Sequence, residues 1–155
     1  MNYMKGQGAT EYLVLLAVVL IIALVSIALL GFFPGLASDA RITQSTSYWR
    51  GEARPFAILE HSAVAATGLA TVILQNNDAT GTFTMTNFTF ANASNSTSTT
   101  FAPGETRTIT VNASSAFGTQ AAGNIYDVPV NITYTTPNGV AGRQYGAKNI
   151  VGKFI

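Results

Sequence analysis

The chain has 155 residues, of which only 10% are charged, against roughly 25% in ordinary soluble proteins. Its 8 basic and 7 acidic side chains leave a formal net charge of +1, which excludes the basic footprint of a nucleic-acid binder and any polybasic membrane patch. Cysteine is absent, which excludes disulfides and thiolate metal sites.

The chain starts with the run Lys5-Gly6-Gln7-Gly8-Ala9-Thr10-Glu11-Tyr12, and from Tyr12 to Ser38 no charged residue occurs. Tyr12 to Phe33 gives 22 residues interrupted only by Ser26 and Gly31. At a rise of about 1.5 Å per residue this is roughly 33 Å of helix, enough to cross a hydrocarbon core of about 30 Å. The block is apolar on every side, so it expects lipid or protein all round it. A cleaved secretory signal would be shorter and followed by an A-x-A-like site, and Leu36-Ala37-Ser38 matches that poorly. Phe33-Pro34-Gly35 should end or kink the helix, because proline lacks a donor and restricts the residue before it.

Two readings of the front end stay open on composition alone, a plain single-span anchor and something more specific. A carboxylate at the lip of an apolar helix is costly to bury, so Glu11 needs a partner, water or a proton. The run Gly6-Gln7-Gly8-Ala9-Thr10-Glu11-Tyr12 resembles the processing motif of type IV pilins, specifically the archaeal class III signal peptide group. Bacterial members usually begin the mature chain with Phe, whereas Gln7 matches the archaeal habit; Ala9 stands where Ser is common.

The resemblance implies a short leader, residues 1–6, removed by a prepilin peptidase between Gly6 and Gln7, with Glu11 as the fifth mature residue. It also implies a helix, 7–36, that is stored in the membrane and then assembled into a helical homo-oligomeric filament with a pilus assembly ATPase and platform protein. The carboxylate of Glu11 can pair with the new amine within one subunit or between neighbours, and the resemblance implies the latter, setting axial register; the alternative is that Glu11 merely marks the water interface. The resemblance places the precursor in the membrane and the product on the cell surface, with adhesion as the expected duty. Two alternatives stand beside it: a non-polymerising, single-pass surface protein with a binding β domain, or an archaellin or pseudopilin. Arg41 and Arg50 after the span outnumber Lys5 before it, which runs against the positive-inside rule, but long domains translocate largely regardless of charge.

Residues 37–54 read as a stretch of weak helical character that either continues the helix beyond the membrane or forms a short neck, with Trp49 as a core anchor between neck and head. From Pro55 to the end, 55–155, the language changes to strands. Phe56–His61 and Leu69–Leu74 are apolar runs followed by the turn cluster Asn76-Asn77-Asp78-Ala79-Thr80-Gly81. Pro103-Gly104 marks another turn, and Asn138-Gly139 predicts a type I′ hairpin between Val128–Thr135 and the segment starting at Val140. In Phe83–Phe90 the apolar parity flips between Met85 and Phe88, predicting a bulge near Asn87. The expected fold class is therefore α+β: an N-terminal apolar helix followed by an antiparallel domain of six to eight strands. A sandwich or barrel-like arrangement is expected for those strands, the immunoglobulin-like one included.

Five triplets fit the N-x-[ST] glycosylation pattern, at Asn87, Asn92, Asn95, Asn112 and Asn131. Strand parity puts Asn87, Asn112 and Asn131 on outward faces and leaves Asn92 and Asn95 in the loop Ala91–Thr100. The alternative is a polar surface rich in Thr, Ser and Asn with no sugar. His61 is the only histidine and alternates with apolar neighbours in a strand pattern, so a structural role is expected rather than a metal site, which needs three or four ligands. Asp78 and Glu105 lie at turns that account for them. No catalytic spacing, phosphate loop or carboxylate pair is present in the sequence, and no enzyme activity or cofactor is expected.

Overall fold

The computed structural model describes residues 4–155, with the side chains of residues 4–7 and 32–34 outside the description. The chain divides into two compact units between Asp39 and Ala40. The described residues of the first are helix alone. Helix α1, Met4–Ser47, is one element that runs through Pro34 rather than ending there. A membrane-type helix tolerates a proline because local adjustment of the turn and neighbouring groups re-satisfy the freed backbone carbonyl. Ser26, the polar residue inside the apolar block, donates its hydroxyl to the Ile22 carbonyl at 2.7 Å and so satisfies itself within the helix.

The second unit is the antiparallel β domain. The last turns of α1 pass into a short π-helical turn, Tyr48–Glu52, and a cis Arg54-Pro55 bond leads into β1. The strands are β1 (Phe56–Ala63), β2 (Leu69–Asn76), β3 (Phe83–Phe90), β4 (Ala93–Asn95), β5 (Thr99–Phe101) and β6 (Thr106–Asn112). A four-residue helix α2 (Ser114–Phe117) precedes β7 (Ile125–Val128), β8 (Val130–Thr135), β9 (Ala141–Tyr145) and β10 (Ile150–Lys153). One sheet runs β1-β2-β6, a second β4-β3-β8-β9 with β5 also on β3, and β10 pairs with β7. The layers share one core. Phe56 of β1 meets the rings of Phe83, Phe101 and Tyr134 edge-on at centroid distances of 6.2, 5.2 and 5.7 Å. The α+β class is thus as read from the sequence, but the described residues hold ten strands rather than six to eight, because short pieces such as β4, β5 and β7 add to the longer ones, arranged as packed antiparallel sheets.

Period-2 burial accounts for most strands: Ala70, Val72 and Leu74 are buried on β2, Ile109 and Val111 on β6, Val130 and Ile132 on β8. The bulge near Asn87 is present, with the β3–β8 register shifting between Met85 and Asn87. Three local expectations are corrected. The stretch Val128–Thr135 is not one strand, because at Pro129, which has no N–H to give a ladder, the chain leaves the β7–β10 pair and enters the other sheet. The type I′ turn is not at Asn138-Gly139. There Gly139 N–H bonds the Thr136 carbonyl at 2.9 Å, so Pro137 and Asn138 are the central residues, and only Gly139 has positive φ. Proline's fixed negative φ selects this type I-like turn followed by a left-handed glycine. The two-residue turn with both φ positive falls at Ala91-Asn92, φ 51 and 67, between β3 and β4. That hairpin also gives strand structure to part of the loop expected over Ala91–Thr100.

Candidate assembly helix and surface sites

The sequence-predicted site residues lie in two places. In the first unit, Gly6 and Gln7 are within α1, but their side chains fall outside the described residues, as does the leader's start at 1–3. Glu11 is exposed and lines a shallow groove with Thr10, Val14 and Leu15, its neighbours along one helix face. Every described side chain from Gly8 to Gly31 is exposed, including Leu15, Leu24 and Leu30, the last at 71%. The helix is long and apolar enough to cross a membrane by length and composition, with an 18-residue window of mean hydropathy 3.4. It is a candidate membrane anchor. Gly8, Gly31 and Gly35 have open space where a Cβ would stand.

In the second unit, the end of α1 is tied to the β domain by side chains that sequence reading did not single out. Ser45 is buried, donates to the Asn149 carbonyl at 2.8 Å and accepts from Val151 N–H at 3.0 Å. The Arg41 guanidinium pairs with the Asp127 carboxylate, which also accepts from the Asn149 amide at 2.8 Å. Trp49, 1% exposed, donates its indole N–H to the Lys148 carbonyl at 3.1 Å. A Cβ on Gly146 would sit 2.2 Å from the Trp49 ring, so the indole requires glycine there. Arg50 donates to the Leu59 carbonyl, which the bulge between Ile58 and Glu60 displaces from the ladder.

His61 lies in β1 with Nδ1 2.7 Å from the Tyr126 hydroxyl of β7, the two rings edge-on at 5.8 Å. Burial, and then the nearby Arg50 charge, lower the His61 pKa below its ordinary 6.5. Burial pushes Tyr126 up to about 12. Both shifts favour a neutral pair. Gly152 of β10 lies directly against it, since a Cβ there would come within 2.4 Å of the Tyr126 hydroxyl. Two turn carboxylates are held below their usual range by backbone donors, Asp78 by the Thr80 and Gly81 amides and Glu105 by Ala102 N–H. Among the described residues no three His, Asp or Glu side chains converge as a metal site would need.

The five asparagines differ in setting. Asn92 and Asn112 are exposed; Asn87, Asn95 and Asn131 are half-buried, so the outward-facing expectation for Asn87 and Asn131 holds for the face but not for full exposure. No known protein-family model matches this chain, and no curated protein matches it either.

Proposed function

We propose that this chain is a structural subunit of an archaeal type IV pilus-like surface filament, serving adhesion. The single observation that carries the reading is a helix exposing apolar side chains on all sides from Tyr12 to Leu30, in the same chain as a folded β domain. Such a helix needs lipid or other apolar helices around it. The order of events follows from the sequence motif: a prepilin peptidase cuts between Gly6 and Gln7, the helix waits in the membrane, and copies then exchange lipid for one another. Lipid tails and helix side chains are similarly apolar, so packing and polar pairs drive that exchange. Gly8, Ala9 and Ala17 allow close helix approach. The carboxylate of Glu11 would meet the new α-amine of Gln7 on a neighbouring copy, near a helix end whose dipole favours an anion. The β domains would tile the outside, where sugars on the sequon asparagines would keep a weakly charged surface soluble.

The test is electron microscopy of filaments sheared from native cells, with the subunit identified by mass spectrometry. Filaments built of this chain are expected. A chain found solely as a monomer in the membrane fraction would favour a plain anchored surface protein instead.

A further inference from the structure

The five N-x-[ST] triplets look equivalent in sequence, yet the fold places their side chains in three different settings. Asn87 and Asn131 lie in β3 and β8, each paired on both edges. Their triplets run antiparallel to each other in register, Asn87 opposite Thr133 and Thr89 opposite Asn131. The Oδ1 atoms of both asparagines are buried and accept no hydrogen bond, and Asn87 Nδ2 reaches Thr89 Oγ1 at 3.4 Å. An acceptor stretch there cannot be lifted from the sheet without breaking ladder bonds on both sides.

Asn95 is committed at both ends of its amide. Nδ2 donates to the Thr110 carbonyl of β6 at 2.8 Å, and Oδ1 accepts from Thr97 N–H at 2.8 Å. It ties β4 to the edge of the other sheet. Asn92 and Asn112 are free by comparison. Asn92 sits at the tip of the β3–β4 hairpin at φ 67, exposed, with no side-chain hydrogen bond among the described residues. Asn112 ends β6, exposed, and only its Oδ1 is used, accepting from Ser114 N–H at 3.1 Å. The two lie at one end of the domain, since Asn92 lines a shallow groove with Ser115 and Phe117 of α2, the helix that follows Asn112.

We propose that Asn92 and Asn112 are the oligosaccharide acceptors of the folded domain, and that Asn87, Asn95 and Asn131 are structural. The assignment rests on the filament reading only in placing the β domain outside the cell. The co-reactant is a lipid-linked glycosyl phosphate or pyrophosphate. Nδ2 forms a bond to the anomeric carbon while that carbon's bond to the phosphate oxygen breaks. The lipid phosphate leaves with the electron pair, and the amide proton passes to a base of the transferase, with no change of oxidation state.

Glycopeptide mass spectrometry of the full chain from native cells tests this. Sugar increments are expected on Asn92 and Asn112 alone. Asn92→Gln and Asn112→Gln should each lower the intact mass by one glycan, and the double variant should show the bare polypeptide mass. Asn95→Gln and Asn131→Gln should leave the glycan mass unchanged. A sugar on Asn87, Asn95 or Asn131, or a native chain without sugar, overturns the assignment. The two readings fail separately: an unsugared chain in filaments sinks the acceptor assignment alone, and a chain sugared at both sites but absent from filaments sinks the filament alone.

Discussion

The side-chain amide of Gln144 bonds both backbone groups of Phe56: Nε2 donates to the Phe56 carbonyl at 2.7 Å, and Oε1 accepts from Phe56 N–H at 2.9 Å. Gln144 is on β9 and Phe56 on β1, the end strands of two different sheets. A single side chain therefore does for these edges what a neighbouring strand would do, and both residues are buried. Buried backbone groups must be paired, and Gln144 supplies a partner to both of these.

Gln144→Ala would leave a buried donor and a buried acceptor without partners. At about 1–3 kcal/mol for each, the loss is about 2–6 kcal/mol. Trp49, the only tryptophan and buried, reports the unfolding of the β domain by fluorescence in a denaturant titration of the detergent-solubilised chain. Gln144→Glu replaces the donor by a carboxylate oxygen facing the Phe56 carbonyl. Its folded pKa should be raised, so its stability should be greatest below the usual glutamate range and fall as pH rises through it. A Gln144→Glu midpoint that follows the parent's at every pH would show that the amide is dispensable.

Gly152→Ala should be destabilising by about 1–3 kcal/mol, the usual cost of overpacking a filled core. The added methyl would meet the Tyr126 hydroxyl and the His61 ring, neither of which is the free end of a flexible chain. Thermal unfolding followed by circular dichroism at a tyrosine wavelength measures it. The same substitution at Gly104, where a Cβ meets nothing, should act only through its positive φ of 74°.

The His61–Tyr126 pair gives stability a defined pH dependence. The folded pKa of His61 lies below the unfolded 6.5, so the unfolded chain binds the extra proton first. Its contribution is complete above about pH 6.5 and is lost as pH falls from there through the folded value. Tyr126 acts at the other end: its raised pKa of about 12 makes its contribution complete below about 10 and lost as pH climbs from 10 to 12. Asp78 and Glu105, held low by backbone donors, give up theirs only at more acidic pH than His61 begins to. Unfolding midpoints between pH 8 and 5 should therefore decline below 6.5 in the parent and decline less in His61→Gln.

Patterns that repeat locally were legible in the sequence. The apolar block, the period-2 strands and the parity flip that marks the bulge at Met85/Asn87 each depend on residues a few positions apart. What stayed hidden depends on partners far along the chain. Gln144 reads as an ordinary polar residue in a hairpin until Phe56 is beside it, and Ser45 reads as a helix surface until the Asn149 and Val151 backbones arrive. The Ala91-Asn92 turn was missed because Asn138-Gly139 is the stronger dipeptide signal, and Pro137 overrode it by fixing φ. At the candidate site, the motif around Gly6 and Glu11 was readable as a resemblance. The unequal environments of the five asparagines were not, since sequence cannot tell an inner strand from a hairpin tip.

Glu11→Gln should leave membrane insertion and cleavage intact, because it removes charge without adding bulk at the helix lip. Filament yield should fall, by roughly tenfold if the lost charge pair is worth about 1.4 kcal/mol per copy. Quantified filament mass in the sheared fraction, against total chain, checks this. Parent-like yield from the variant would remove Glu11 from any role in register.

A filament subunit of the proposed kind is trimmed at its front before its helix is used for assembly. N-terminal sequencing of the chain recovered from native cell-surface filaments tests it most directly. The predicted first residue is Gln7, which makes Glu11 the fifth. A filament chain that begins at Met1, or one cut after the apolar block near Ser38, would contradict it.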